Sequence, residues 1–573
     1  SGEIIRQKYA LRRVAVENGV FTVNGRAVKL LGVNRHEIDL DFGYVMTEER
    51  MRSDLKLIKQ GNMNAVRTSH YPDCPRFLEL CDEAGIYVVD EADLECHGVL
   101  EQNGKSDFDL YDTFADDPRF SAAVADRVQR LVERDKNFGC VVMWSLGNES
   151  GWGRCFRSAA REVSKRDPSR VLHYEDINVA PNKRQGEKFE ELSIISRMYF
   201  NVDWIENVYL AGKDEQVPHI EYDFAQMRRP LFLCEYAHAM GTGPGDLGDY
   251  VDCFYRHPEV IGGCVWEFCD HAARGDFGRY KNVPLYGGDF GTAADRLIQE
   301  TEGNFCMDGL VNERRVPHRG YYEYKNVLRP VRITFENGEF FAENMLFFTC
   351  ADESFAVLAK IMSGREVLRE VRISLPPLPP RAKKQFALDL SDFSAAEDLY
   401  IHFSCYTRGE TPFVPANTLA GRDSVQIRSD ADKIYRHARS AGTGKVRNDA
   451  PASADGRILP ADCAEISFSC GGFSCCYDTR GGAILSLRSQ GAEFLERPVS
   501  FCVTRADMDN DMYNRIFWRG CGLYDAYATG GEIQLTDGGF RQKIALQAMW
   551  RKNIAEIWAE YRFFDGGFIL RLR

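Results

Sequence analysis

The chain has 573 residues, 44% hydrophobic and 27% charged, the composition of a soluble globular protein. At roughly 150 residues per domain, that length calls for three or four cores rather than one. Its 72 Lys and Arg face 85 Asp and Glu, a net charge of −13, which argues against a nucleic-acid partner because such affinity rests on cations meeting phosphates. No apolar run reaches the ~20 residues of a membrane span, and the opening "SGEIIRQKYALRRVAV" lacks a signal-peptide core, so a cytoplasmic protein with no membrane partner is expected. The eighteen cysteines are scattered through strand-like runs such as "GGCVWEFC". They read as reduced buried thiols, and no CxxC set carries zinc spacing.

Near the N-terminus, "FTVNGRAV" reads as an Asn-Gly hairpin between short alternating strands. From there to about residue 330, short apolar runs alternate with amphipathic stretches, as in repeated strand–helix units. Eight strands are predicted: "VKLLGVN" (28–34), "MNAVRTS" (63–69), "IYVVDEA" (86–92), "CVVMWSL" (140–146), "RVLHYE" (170–175), "LSIISRMY" (192–199), "PLFLCEY" (230–236) and "VIGGCVWEF" (260–268). Between the first two, Thr47 can cap a helix with an acidic first turn, whose Met51, Leu55 and Ile58 share a face before Gly61. After the second, "DCPRFLELCDEAG" repeats the design with Asp73, Pro75 and Gly85. Eight strands with helices between most of them over ~300 residues predict a (β/α)8 TIM barrel. Beyond it, strand-like stretches and the turn "SLPPLPPR" are β-sandwich signals, residues 436–460 read as a polar linker, and β patterning then resumes up to "FILRLR".

In such a barrel, chemistry gathers at the C-terminal ends of the strands, where the loops converge. Polar groups stand at those ends: Asn34, Arg35, His36 and Glu37 after the first strand, Arg67 and His70 after the second, and Asp90, Glu91, Glu95 and His97 after the third. The fourth ends at Asn148 and Glu149, the sixth at Tyr199, the seventh at Glu235 and His238, and the eighth at Trp266. Each alone has an ordinary explanation: a single Glu is usually a salt-bridge partner or cap, a single His a hydrogen-bonded structural residue, and Trp266 part of the core. Convergence shifts the balance, because random placement would not put polar groups at one rim on so many strands. Two carboxylates beside Trp, Tyr, His and Asn are the equipment of glycoside hydrolysis, one protonating the leaving oxygen while the other attacks the anomeric carbon. Carboxylates facing each other from strands four and seven at ~5 to 5.5 Å would predict retention of configuration.

The motifs "GVNRHE", "VRTSHYP", "YVVDEADLECHG", "WSLGNESGWG", "CEYAHAMGTGPG", "GGCVWEFCDH" and "NFCMDGLV", in this order, resemble the central domain of glycoside hydrolase family 2, closely its bacterial lac-operon type of β-galactosidase. The resemblance runs from about residue 15 to 325 and continues more weakly to 573 through "TRADMDND" and "FWRGCGL". It implies a retaining β-galactosidase acting on terminal β-D-galactosyl residues, as in lactose, through a covalent galactosyl-enzyme, and leaves a homo-oligomer open. Carried over residue by residue, it implies Glu149 as general acid/base, Glu235 as nucleophile, Tyr199 beside that nucleophile, and His36 and His70 as sugar-binding, transition-state-stabilising groups. Asn148 would hold the 2-hydroxyl and His238 and Trp266 would form the sugar platform, with Arg67 and Asp308 also in contact with substrate. Glu95, His97 and Glu149 match a magnesium (Mg2+) site, and a hard cation taking carboxylate oxygens would tune the neighbouring acid.

The resemblance further implies a multidomain chain with a central (β/α)8 TIM barrel flanked by immunoglobulin-like β-sandwich domains. The expected boundaries are 1–27 for the end of one immunoglobulin-like domain, 28–330 for the catalytic barrel, 331–435 for a second immunoglobulin-like domain, 436–460 for the linker and 461–573 for a partial C-terminal β-sandwich. Family members are longer at both ends, so the chain is expected to be a fragment with an incomplete sodium (Na+) site. Asp308 stands where the family motif usually has Asn, at a position touching sodium and sugar, while Phe305 matches; Asp308 is expected either to draw a cation or to be a solvated carboxylate. One alternative is a β-glucuronidase of the same family, but a uronic acid calls for an Asn-x-Lys clamp and none stands near the rim. The other is a catalytically silent sugar-binding chain, although both Glu149 and Glu235 are present.

Overall fold

The computed structural model describes residues 4, 8–99, 101–102, 105–106, 110, 112–178, 189–212, 229–277, 280–289, 305–396, 398–429, 447–449, 463–504, 514–548, 551–564 and 566–573. The predicted linker, apart from 447–449, and "TRADMDND" beyond its first residue lie outside them. The chain forms two compact units, one of Ser1–Ser394, Tyr400–Val425 and Met508–Asn510, the other of Ala395–Leu399, Gln426–Asp507 and Asp511–Arg573.

In the first unit, Val14–Glu17 (β1), Val20–Val23 (β2) and Arg26–Ala27 (β3) make an antiparallel sheet. Its turns are Asn18-Gly19 and Asn24-Gly25, whose positive φ values give the twist that a tight hairpin needs. All eight predicted barrel strands follow: β4 (Leu30–Arg35), β5 (Ala65–Thr68), β6 (Tyr87–Glu91), β7 (Val141–Ser145), β8 (Val171–His173), β9 (Ile195–Met198), β10 (Leu231–Tyr236) and β11 (Val260–Val265). They form one parallel sheet in the order β8-β7-β6-β5-β4-β11-β10-β9, so the first strand pairs with the eighth. Between β8 and β9, His173 Nδ1 and Ser196 Oγ bridge the ring at 2.8 Å. Leu30, Val171, Ile194 and Ile261, at or near the starts of their strands, share a buried cluster with Val14, Phe21 and Val23, so the small sheet closes the barrel end opposite the rim.

The outer layer is built by amphipathic helices. Helix α1 (Glu48–Gln60) starts where the Thr47 hydroxyl accepts the Arg50 N–H at 3.2 Å, and it buries Met51, Leu55 and Ile58 as its periodicity predicts. Helix α2 (Pro75–Ala84) ends on Gly85 at φ 68°, but its N-cap differs from expectation. The cap position is Cys74, which makes no side-chain cap bond, because Asp73 is drawn into the core by Arg35 at 2.6 Å. A buried ion pair with Arg35 outweighs a surface cap there.

Arg35 is fully buried. It donates to Asp54 Oδ2 at 3.0 and 3.1 Å as well as to Asp73, stacks 3.9 Å over Phe77, and shares Asp54 with Arg315, whose Nε lies 2.8 Å from Oδ1. Burial outweighs the attraction of Arg35 and pushes the Asp73 carboxyl up to about 7.

Residues 331–428 add two antiparallel sheets. One holds Val331–Glu336, Glu339–Asn344 and Lys383–Phe386; the other has the order Glu366–Ile373, Phe355–Ser363, Leu399–Thr407, Leu419–Arg428. The second unit, taken by itself, contains a five-stranded and a four-stranded antiparallel sheet around Ile466, Phe468, Tyr477, Phe540, Tyr561 and Phe563. All eighteen cysteines are free thiols, but the expected burial holds for only ten of them: seven are half-buried and Cys502 is exposed; no described helix is long and apolar enough to cross a membrane. Replacing Arg35 by Leu strands the buried Asp73 and leaves Asp54 with Arg315 alone; the loss of stability should be ~3 to 5 kcal/mol, read as a lowered urea midpoint by circular dichroism.

Candidate active site

The rim is organised from beneath by Arg67, at the end of β5. Its Nε and Nη2 grip the two oxygens of Glu91 at 2.8 and 3.0 Å; Nη2 also reaches Asn148 Oδ1 at 2.8 Å, and Nη1 donates to Asn34 Oδ1 at 3.0 Å and Glu235 Oε1 at 2.8 Å. Arg67 is 1% exposed and its donors are directed at protein acceptors, so it holds the wall rather than facing a ligand, unlike the substrate contact expected of it. Asn34 in turn donates to the carbonyls of Cys234 and Cys264 at 3.0 and 3.1 Å, tying β4 to β10 and β11.

Glu235, at the end of β10, is buried and held on both oxygens: Arg67 on Oε1, and the Tyr199 hydroxyl on Oε2 at 2.7 Å. Tyr199 reaches it because the β9–β10 register shifts at Arg197 and Met198, and Tyr199 then turns to φ 57° with its N–H on the Glu235 carbonyl at 3.0 Å. The residue as a whole is 41% exposed, but its hydroxyl is enclosed against Glu235; burial, with the negative charge of Glu235, pushes that phenol well above its ordinary value.

Glu149 leaves β7 through Gly147, at φ 139°, where a Cβ would meet the Leu94 carbonyl oxygen at 2.6 Å. Glu149 itself sits at φ 36°, a conformation rare for a residue with a side chain. Burial acts to raise its carboxyl, but the hydrogen bond from His97 and the charges of His97, His70 and Arg67 hold it below the usual value. Asn148 Nδ2 donates to Glu95 Oε2 at 2.6 Å. Glu95 is exposed as a residue, yet its carboxyl is turned into the site, where burial pushes it up to about 7. Glu95, His97 and Glu149 each offer a ligand atom, all within 4.8 Å of one another.

Imidazoles and aromatic rings line the other wall. His70 bonds Glu91 Oε1 through Nδ1 at 2.8 Å and stacks on Trp266 at 5.1 Å, leaving only the opposite face or the edge of the indole for a ligand. His36 lies edge-on to His70 and Trp266, with Nδ1 at 3.1 Å from the Tyr71 hydroxyl. His238 stacks on Tyr199 at 5.7 Å and meets Phe305 edge-on. Burial holds His238 down at about 4 and, with the charges of His271 and His70, His36 well below its ordinary value, so both are neutral at pH 7.

Asp308 is not the solvated carboxylate that one expectation allowed. It is 2% exposed, accepts the Trp266 indole N–H at 2.9 Å on Oδ2, and has a carboxyl raised well above the ordinary range by burial and by neighbouring Glu267.

Residues 14–333 match the family described as glycosyl hydrolases family 2, TIM barrel domain. The chain belongs to glycosyl hydrolase family 2. It is 32% identical over 99% of its length to a β-galactosidase of Actinobacillus pleuropneumoniae, and 39% identical over 68% of its length to one of Staphylococcus xylosus. It spans 55% and 37% of those two relatives. Among solved structures, a β-D-glucuronidase of Dictyoglomus thermophilum aligns over 56% of this chain and 54% of its own at 20% identity, with a TM-score of 0.39.

Several groups on this family 2 rim escape a reading of strand ends. Glu175, just past β8, is buried beside Arg197 at 3.5 Å, and burial raises its carboxyl. Tyr71 orients His36, while Glu267 and His271 follow Trp266. The run "RVLHYEDIN" carries acidic residues at a strand end, the one signal that could have singled out Glu175. His173, buried within the barrel, is held down at about 3 by burial and by Arg67. An unfolded chain binds that proton below pH ~6.5 whereas the folded one does not, so stability falls as the pH drops. Going from pH 7 to pH 5, this residue should cost ~2 kcal/mol, and His173→Gln should show a correspondingly shallower pH dependence of its urea midpoint.

Proposed function

We propose that the barrel carries the active centre of a retaining β-galactosidase that works by double displacement. The observation that carries this reading is the pair of carboxylates on the rim, Glu235 clamped by Arg67 and Tyr199, and Glu149 held by His97. Relatives named β-galactosidase support the choice of galactoside.

In the first step, a Glu235 oxygen attacks the anomeric carbon while Glu149 gives its proton to the leaving oxygen. In the second, Glu149 takes a proton from water, which opens the galactosyl ester and restores the configuration. Arg67 and Tyr199 each occupy one lone pair of the nucleophile and leave another for attack, so they orient it without blocking it. The lowered pKa of Glu149 suits its role as base. As acid it depends on bound sugar, which excludes water from its carboxyl and leaves the charge of Glu235 unscreened. Neutral His36 and His238 can donate to or accept from sugar hydroxyls, and Asn148 and Trp266 complete the contacts.

The donor set of Glu95, His97 and Glu149 fits a divalent cation such as magnesium. Bound there, the ion supplies fixed positive charge beside the acid/base.

A panel of aryl β-glycosides tests the reading. The galactoside should be the fastest and its product should form with retained configuration by proton NMR; preference for the glucuronide would overturn the assignment. Glu235→Gln should lose several orders of magnitude in turnover, and a 2-fluoro galactoside should label Glu235 in the unaltered chain. Glu149→Gly should keep most of its first-step rate on dinitrophenyl galactoside and form a β-galactosyl azide when azide is added. Magnesium affinity by calorimetry should fall as the pH is lowered through about 7, where the Glu95 carboxyl takes up its proton, and should drop in Glu95→Gln.

A further inference from the structure

We infer that Glu206, Cys253 and His257 form a zinc site in the outer layer of the barrel, at the end opposite the catalytic rim. The three residues come from two neighbouring elements: a π-helical turn, Ile205–Tyr209, after β9, and the helix Leu247–Arg256 with its cap residue His257, between β10 and β11. A carboxylate oxygen, a thiol sulfur and a ring nitrogen, one from each residue, lie within 4.8 Å of one another. Around a tetrahedral zinc with bonds of ~2.0 to 2.3 Å, such donors stand ~3.4 to 3.6 Å apart, so side-chain adjustments of about 1 Å bring all three onto one ion.

The spacing is that of a ligand pair on one helical face. Cys253 and His257 are four residues apart, and the His257 N–H on the Cys253 carbonyl at 3.1 Å carries the turn through the histidine. The ligand-bearing backbone is held from outside the cluster. The Tyr250 hydroxyl donates to the Phe200 carbonyl at 3.0 Å, joining the helix to the segment that leads into the π-helical turn. The Lys29 ammonium, just before β4, donates to the His257 and Pro258 carbonyls at 2.8 and 3.3 Å, which also places this helix end beside the strand starts.

Cys253 is fully buried, whereas the side chains of Glu206 and His257 are 25% and 28% exposed, so an ion enters from solvent between acid and imidazole and meets the thiol beneath. Glu206 Oε1 is shared by His257 Nε2 at 2.9 Å and Arg256 Nη1 at 2.7 Å. Arg256, whose side chain is 55% exposed, is the replaceable partner, because its guanidinium can turn out into water when a metal takes the carboxylate. Burial, with the negative charge of Glu206, pushes the Cys253 thiol up to about 11; on binding, its proton leaves to solvent and the thiolate goes to the ion. Thiolate and imidazole together favour zinc over magnesium or sodium, which prefer oxygen alone. Three protein donors leave the fourth position of a tetrahedron to water. The site shares no residue with Glu95, His97 and Glu149.

Cobalt is the probe, since it takes tetrahedral zinc sites and a bound thiolate gives it a charge-transfer band in the near ultraviolet, which a site of carboxylates and imidazole alone does not produce. The chain, reduced and stripped with chelator, is titrated with CoCl2. The band should appear, and ZnCl2 should abolish it. Cys253→Ser should remove the band, and His257→Ala should weaken cobalt binding at least tenfold. Arg256→Ala, which alters only an exposed side chain and so does not depend on whether the other variants fold, should tighten binding by freeing Glu206. The absence of a band in the unaltered chain, a band that survives Cys253→Ser, or an affinity unchanged or lowered in Arg256→Ala would overturn the proposal.

Discussion

Everything at the rim depends on one buried guanidinium. Arg67 has five N–H donors, and Glu91, Asn34, Asn148 and Glu235 take them. These acceptors come from β6, β4, the end of β7 and β10, so a single planar cation sets the spacing of four strand ends. A buried arginine is costly unless paired, and here the pairing is bidentate to Glu91, with Ser145 donating to the same carboxylate at 2.6 Å. That pairing keeps Glu91 charged despite its burial: desolvation works to raise its carboxyl, but Arg67, His70 and Ser145 hold it low.

The rest of the rim follows from this anchor. One guanidinium charge is shared between Glu91 and Glu235, so Arg67 braces both carboxylates but offsets only one of their two negative charges. Burial raises the carboxyls of Glu95, Glu175, Glu267 and Asp308, which makes each of them harder to ionise than a solvated acid. The histidines show the converse effect: His36, His173 and His238 are held neutral by the same desolvation. The barrel mouth thus contains two groups of acids and imidazoles, one around Glu149 and one around Glu267, on either side of the clamped Glu235.

Backbone geometry delivers these side chains. The β9–β10 register shift and the positive φ of Tyr199 aim a phenol at Glu235, and Gly147 lets the chain pass close to Leu94 so that Asn148 and Glu149 enter the mouth. At the other end of the barrel, the small sheet of residues 14–27 packs into the strand starts and completes the apolar interior. Rigid closure below and positioned polar groups above are two faces of one packed ring.

The sequence by itself determined the eight strands, because parallel barrel strands are buried on both faces and read as short apolar runs. It also determined which side chains stand at their ends, and the ordered motifs named the family. Helix α1 was equally legible, since capping and the spacing of Met51, Leu55 and Ile58 are local properties. What each polar group touches is not local. Asp73 reads as a cap but pairs with Arg35; Arg67 reads as a ligand contact but serves as the buried brace; Asp308 reads as either a cation-drawing or a solvated carboxylate, and it is enclosed against Glu267. Those outcomes were decided only in the tertiary structure, because desolvation and partner choice depend on groups from distant parts of the chain brought within ~3 Å by closure of the barrel.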